Sequence, residues 1–214
     1  MDYRLENIDN TTFENLINTI CQKILGTGVV VFSEGKDGGR DGKFDGFAQN
    51  YPSETDSWSG KFIIQAKHTS NPIASCSDNN FEKIVDEEIK KIKELNDNNE
   101  VDNYLLFTNR KYSAITGERL TNKIKHETGV ENSVIIGKEV INNQYLNSNK
   151  EIVKQYQLDL NHIPFDFSDD EIKDIILVFK KQLPEIKKDV KRKVDQLKYD
   201  YSHIDKDKKI KRII

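Results

Sequence analysis

An aspartate, a glutamine and a lysine stand out, because their types and spacing could place a cation beside a phosphate. Asp41 lies in the glycine-flanked run Gly38-Gly39-Arg40-Asp41-Gly42, and Gln65 and Lys67 close the apolar run Lys61-Phe62-Ile63-Ile64-Gln65-Ala66-Lys67. Read as a strand, that run sends alternate side chains to opposite faces, so Gln65 and Lys67 share one face and Ile64 and Ala66 the other. Polar groups paired on a strand otherwise aliphatic enough to be buried point to a site rather than a surface. A carboxylate is a natural ligand for a hard cation such as Mg²⁺, which takes oxygen donors and keeps several waters. An ammonium suits a phosphate electrostatically. Gln65 offers only a neutral amide oxygen, so one carboxylate is missing, and Glu14 can replace it if it faces inward. Plainer readings stand beside these: Asp41 as a turn aspartate bonded to its own backbone, Gln65 and Lys67 on an exposed strand end, Glu14 as a capping residue. Asp37 and Asp45 compete for the cation in a different register, and His68, on the opposite side of an ideal strand, is read as structural.

The elements that must position these groups follow from periodicity. Phe13, Leu16, Ile17, Ile20, Cys21, Ile24 and Leu25 recur at helical spacing, closed by Gly26 or Gly28. Thr11 with Glu14 fits a capping box, and Glu14 falls on the flank of the apolar stripe. Val29–Phe32 predicts a short buried strand, 43–47 a second and 61–67 a third, with a polar loop from Asn50 to Ser57. Phe81, Ile84, Val85, Ile89, Ile92 and Leu95 mark an amphipathic helix with a Glu- and Lys-rich outer face. A buried strand at 104–108, a helix over 116–127 closed by Gly129, and a strand at 133–137 complete an α/β sheet covered on both faces. Composition changes after residue 148. Ser168 and Glu171 then open one helix, and Pro184 opens another whose Ile186, Val190, Val194, Leu197 and Tyr201 form a narrow seam for one partner helix.

Asp41 with Gln65-Ala66-Lys67 resembles the Asp…(Glu/Gln)-x-Lys signature of the PD-(D/E)XK nuclease superfamily. The Gly-Gly-Arg-Asp-Gly setting is similar to its Mrr-like restriction endonuclease branch, where a glutamine often replaces the second acidic residue. The resemblance implies a restriction-endonuclease-like core, αβββαβ with a mixed central sheet flanked by helices, over roughly residues 11 to 108. It also implies metal-dependent phosphodiester hydrolysis. Asp41, Gln65, Glu14 and the Ala66 carbonyl would ligate Mg²⁺, with Mn²⁺ able to substitute, and Lys67 would hold the attacking water or stabilise the transition state. The Asp41-to-Gln65 interval is long for the family, which implies an insertion around 50–59, and no proline precedes Asp41. The expected organisation is a nuclease domain over 1–148 and a helical extension over 149–214 for dimerisation, DNA contact or connection to a downstream sensor or ATPase component. The expected substrate is double-stranded DNA, the expected assembly a homodimer and the expected role restriction or anti-phage defence. A nuclease fold without catalysis, binding nucleic acid or scaffolding a partner, is the alternative, because position 65 is not acidic.

Composition limits the other classes. Of 214 residues, 32% are charged and 36% hydrophobic, the balance of a chain with a generous polar surface. No apolar run approaches a membrane span and the first residues lack a signal-peptide pattern, so a cytoplasmic location is expected. The two cysteines have no ligand spacing with the four histidines, which argues against zinc and against a disulfide framework, and Cys21 reads as core. A net charge of −3 gives no global argument for nucleic acid. There is no Walker pattern, nucleophile elbow or His-Glu-x-x-His run.

Overall fold

All six side chains of the strand Asn103–Thr108 are buried, which is possible only if both faces of the sheet are covered around it. In the computed structural model, which describes residues 1–32, 40–159 and 169–210, this strand (β4) lies in a five-stranded sheet. Its neighbours are β1 (Val30–Val31), β2 (Gly42–Pro52), β3 (Ser57–Lys67) and β5 (Asn132–Ile136), in the order β1-β2-β3-β4-β5. β1, β2 and β3 pair antiparallel, and β3, β4 and β5 pair parallel. Two parallel neighbours in one sheet require crossovers, and helices α2 (Asn79–Asp97) and α3 (Ala114–Thr128) provide them. Helix α1 (Asn10–Ile24) precedes the sheet, so the order through β4 is the expected αβββαβ.

The alternation of β3 sorts the core into two layers. Phe62, Ile64 and Ala66 join Phe13, Leu16, Ile17 and Ile20 of α1 in one cluster. Ile63 joins Phe81, Val85, Ile89 and Ile92 of α2, with Leu120 and Ile124 of α3, in the other. Each fully buried aliphatic or phenyl side chain contributes about 1.5–3 kcal/mol relative to exposure. Cys21 and Cys76 are both free and buried within these layers. After β5 the chain continues as α4 (Lys138–Val140), a π-helical turn over Ile141–Leu146, and α5 (Lys150–Gln155). This tail returns to the first residues: the Tyr3 amide donates to Asn142 Oδ1 at 3.2 Å, and Lys138 Nζ meets Asp2 at 2.8 Å. Ile152, Val153 and Leu158 complete the α1-side cluster.

Several local expectations change. The N-cap of α1 is Asp9, whose Oδ1 accepts from the Thr12 amide at 2.9 Å, so Thr11 lies inside the helix rather than at its cap. β1 is a two-residue edge strand, with Val30 and Val31 47% and 42% exposed, because no described strand pairs with its outer side. Much of the expected polar loop is strand: β2 runs to Pro52 and β3 starts at Ser57, with a register shift between Phe47 and Pro52, and Tyr51 is buried against Trp58. Gly129 does close α3, in the left-handed conformation at φ 73°.

The chain divides into two compact units, Met1–Ile163 and Pro164–Ile214. The first reaches past the expected boundary at 148 because α5 is anchored in its core. Within the second, α6 runs unbroken from Asp169 to Ile210 with Pro184 inside it, so Pro184 does not open a new helix. The penalty of an interior proline, about 3 kcal/mol, is set against the helix formers of a 42-residue segment rich in Lys and Ile. Ser168 lies outside the described residues. Among the described side chains of α6, Phe179, Val190 and Leu197 are each 57% exposed.

Candidate active site

Asp41 sits immediately before β2, where that strand begins to pair with β3; its amide donates to the Ile64 carbonyl at 3.2 Å. The half-buried carboxylate then reaches over the end of β3. Oδ2 accepts from Gln65 Nε2 at 2.6 Å and from the Ala66 amide at 2.6 Å. Asp41 and the Gln65-Ala66 pair therefore meet across a gap of 24 residues. Asp41 is more than a turn residue bonded to its own loop, and Gln65, 3% exposed, is not at a solvated strand end.

The backbone of Asp41 is held from the helix side. Asn18 Nδ2 donates to the Asp41 carbonyl at 3.2 Å. This close approach requires glycine at the next position, since a Cβ on Gly42 would lie 2.5 Å from Asn18 Oδ1. Glu14 lies one turn before Asn18 on α1 and is half-buried, on the helical stripe that faces Asp41.

Lys67 shares the face of Gln65, and its ammonium meets a carboxylate that periodicity did not single out. Lys67 Nζ is 3.1 Å from Glu88 Oε1, with Lys67 24% and Glu88 3% exposed at the side chain. Glu88 Oε1 also meets Lys91 Nζ at 2.8 Å, and Oε2 accepts from the Tyr104 hydroxyl at 3.0 Å. The signal for Glu88 was present in the sequence: it stands three residues after Val85 and four before Ile92, within the apolar stripe of α2 rather than on its outer face. Burial, then the charge and hydrogen bond of Glu88, then the charge of Asp41, push the Tyr104 phenol well above its ordinary range. The fields of both carboxylates thus reach the same phenol.

The end of β3 is fixed on every side. Thr108 Oγ1 donates to the Lys67 carbonyl at 2.7 Å, and the Asn109 amide bonds both the N–H and the carbonyl of Thr69. His68 points away from the site, its ring nitrogens 2.8 Å from Asn10 Oδ1 and 2.8 Å from the Leu5 carbonyl, which ties the strand to the start of α1. Next to Asp41, a groove of about 330 Å³ is lined by Arg40, Lys43, Asp45, Lys61 and Glu100. Asp45 is exposed there and pairs in register with Lys61, away from Gln65, while Asp37 lies outside the described residues. Two arginines that could have been read as nucleic-acid contacts have partners within the fold. Arg110 is buried against Asp78 and the Phe81 ring, and Arg119 forms a two-pronged pair with Glu82.

An Asp in a turn, bonded to a Gln-Ala-Lys strand end on a mixed sheet behind an N-terminal helix, is the arrangement that the sequence motif implied. The family model Mrr_cat, described as restriction endonuclease, matches residues 5–126, more than half of the chain. The chain belongs to the Mrr-type restriction endonuclease family. As a member of the Mrr family it carries a restriction-endonuclease-like nuclease domain, and the matched segment spans α1, all of the site residues described above, and most of α3. A comparison with curated proteins found no match.

The donor atoms at this Mrr-type site bear on which metal it would suit. Among the described residues no group of three or more His, Cys, Asp or Glu is gathered. Asp41, Glu14 and the Gln65 amide offer oxygen, and in a strand the carbonyl of Ala66 points to the same edge as its amide, toward Asp41. Few protein oxygens, with water completing the shell, fit a hydrated hard cation such as Mg²⁺.

Proposed function

We propose that the protein is a metal-dependent DNA endonuclease that hydrolyses phosphodiester bonds at the Asp41–Gln65–Lys67 site. The observation that carries this reading is the convergence of Asp41 with Gln65 and Ala66 at 2.6 Å, with Lys67 on the same strand face. The chemistry a divalent cation supplies when bound is neutralisation of phosphate charge and activation of water. Asp41, with Glu14 and the Ala66 carbonyl, would hold it; Gln65 orients the Asp41 carboxylate. Lys67 presents a localised positive charge where negative charge grows on the phosphate, and a charge fixed before the reaction needs no reorganisation during it. Its ammonium can also donate to the water that attacks.

Duplex DNA is the substrate that the family supports, and restriction or anti-phage defence in the cytoplasm is the corresponding role. No described helix is long and apolar enough to cross a membrane. The exposed apolar stripe of α6 supports the further reading that this unit dimerises the enzyme or docks a sensor or ATPase component.

The test is cleavage of plasmid DNA with Mg²⁺ or Mn²⁺. Asp41→Asn and Lys67→Ala should each slow cleavage by roughly 10²–10³-fold or more while the thermal midpoint stays close to that of the unaltered protein. Full activity in either variant overturns the assignment. DNA binding without any cleavage by the unaltered protein selects the binding-module reading instead.

A further inference from the structure

A buried carboxylate with two lysines on one oxygen is costly to build and is not a general stabilising device. Removing a charge from water costs several kcal/mol, and apolar replacements of buried ion pairs are often as stable or more so. Glu88 occupies a place in the stripe of α2 where Phe81, Val85 and Ile92 are all apolar, yet it is ionisable, nearly fully buried and engaged at both oxygens. Tyr104 anchors Oε2 from β4, so the carboxylate cannot turn freely. Its other oxygen faces Lys67 at the mouth of the site. Lysine is a flexible four-carbon chain that carries much rotamer entropy, and an unrestrained ammonium would sample many positions. The Glu88 side chain limits that freedom and leaves Lys67 partly exposed toward solvent.

We propose that Glu88 is a positioning residue for Lys67: anchored by Tyr104, it holds the Lys67 ammonium where the scissile phosphate arrives. This rests on the nuclease reading above. Lys91 meets the same oxygen, so the three groups together carry one net positive charge. The cluster therefore attracts an anionic backbone even though one lysine is paired. The role is distinct from metal ligation, because Glu88 acts on Lys67 and not on the cation.

Two measurements on the full chain separate the possibilities. Competitive acetylation with acetic anhydride, read by peptide mass spectrometry, reports the Lys67 amine relative to exposed Lys83 and needs no catalysis. Glu88→Gln should raise Lys67 labelling several-fold, and Tyr104→Phe should raise it less. In the cleavage assay Glu88→Gln should slow the reaction on the order of 10–100-fold, as loss of an orienting partner does. It should do so without moving the Mg²⁺ concentration for half-maximal rate, and Glu88→Asp should recover part of the loss. In the Lys67→Ala background, Glu88→Gln should cost nothing further, since the two act through one contact. Unchanged Lys67 labelling overturns the proposal, as does raised labelling with undiminished cleavage, or a shifted Mg²⁺ requirement. If labelling rises but the unaltered protein cleaves no DNA, the nuclease reading fails and the positioning role falls with it.

Discussion

The two faces of β3 are built from alternate residues of one strand and have opposite characters. Toward α1, the side chains of Phe62, Ile64 and Ala66 join an apolar cluster beside the buried amide of Asn18, and Phe62 and Ile64 are fully buried. Toward α2, Ile63 is followed by Gln65 and Lys67, whose partners are Asp41 and Glu88. The first face follows mainly from the hydrophobic effect. The second buries polar groups that would cost free energy unless paired, and each described member is paired. A strand that keeps one face dry and places a linked polar set on the other has separated stability from chemistry at single-residue resolution.

Three experiments break or sharpen this contrast. The largest effect belongs to the dry face: Phe62→Ala should lower unfolding free energy by roughly 3–5 kcal/mol, seen as a lower urea midpoint. Gln65→Glu changes the polar face alone. A second carboxylate within hydrogen-bond distance of Asp41 should destabilise the metal-free protein by roughly 1–3 kcal/mol, and Mg²⁺ should restore most of that in a thermal melt. A melt that is unchanged by Gln65→Glu would show that Asp41 and position 65 are not in contact in solution.

The smallest effect is alkaline. The buried Tyr104 phenol keeps its proton above the ordinary tyrosine value of 10.0, whereas the unfolded chain releases it. The folded state then binds more protons, so stability is fully present below that value and declines as pH rises past it. By about pH 10.5 the loss from this one group should be under about 1 kcal/mol, and Tyr104→Phe should show a shallower decline between about pH 9 and about pH 10.5.

How far the sequence reveals this molecule depends on whether a feature is local. The α1 stripe, the 61–67 part of β3 and the Gly129 stop are set by side-chain period or backbone conformation within a few residues, and they stand where periodicity puts them. The Asp41–Gln65 pairing was legible only through the family motif, because no local rule joins a turn to a strand end 24 residues on. Glu88 was overlooked because a Glu among Glu and Lys reads as surface; its burial depends on Tyr104 of β4. The exposure of β1 has the same origin, since an edge is defined by a strand that is missing from one side. Pro184 misled in the other direction, where strong helix formers on both sides outweigh a single breaker.

The closure of the first unit by its own beginning affects how the chain is made. Tyr3 and Leu5 are buried, Tyr3 bonds Asn142, and α1 shares its cluster with Ile141, Val153 and Leu158. Helix α1 must therefore wait for some of the last residues of its domain, roughly 7–27 s at ordinary rates of synthesis. Throughout that interval the part of its apolar side that meets Ile141, Val153 and Leu158 is uncovered, which makes the nascent chain a natural client for holding chaperones.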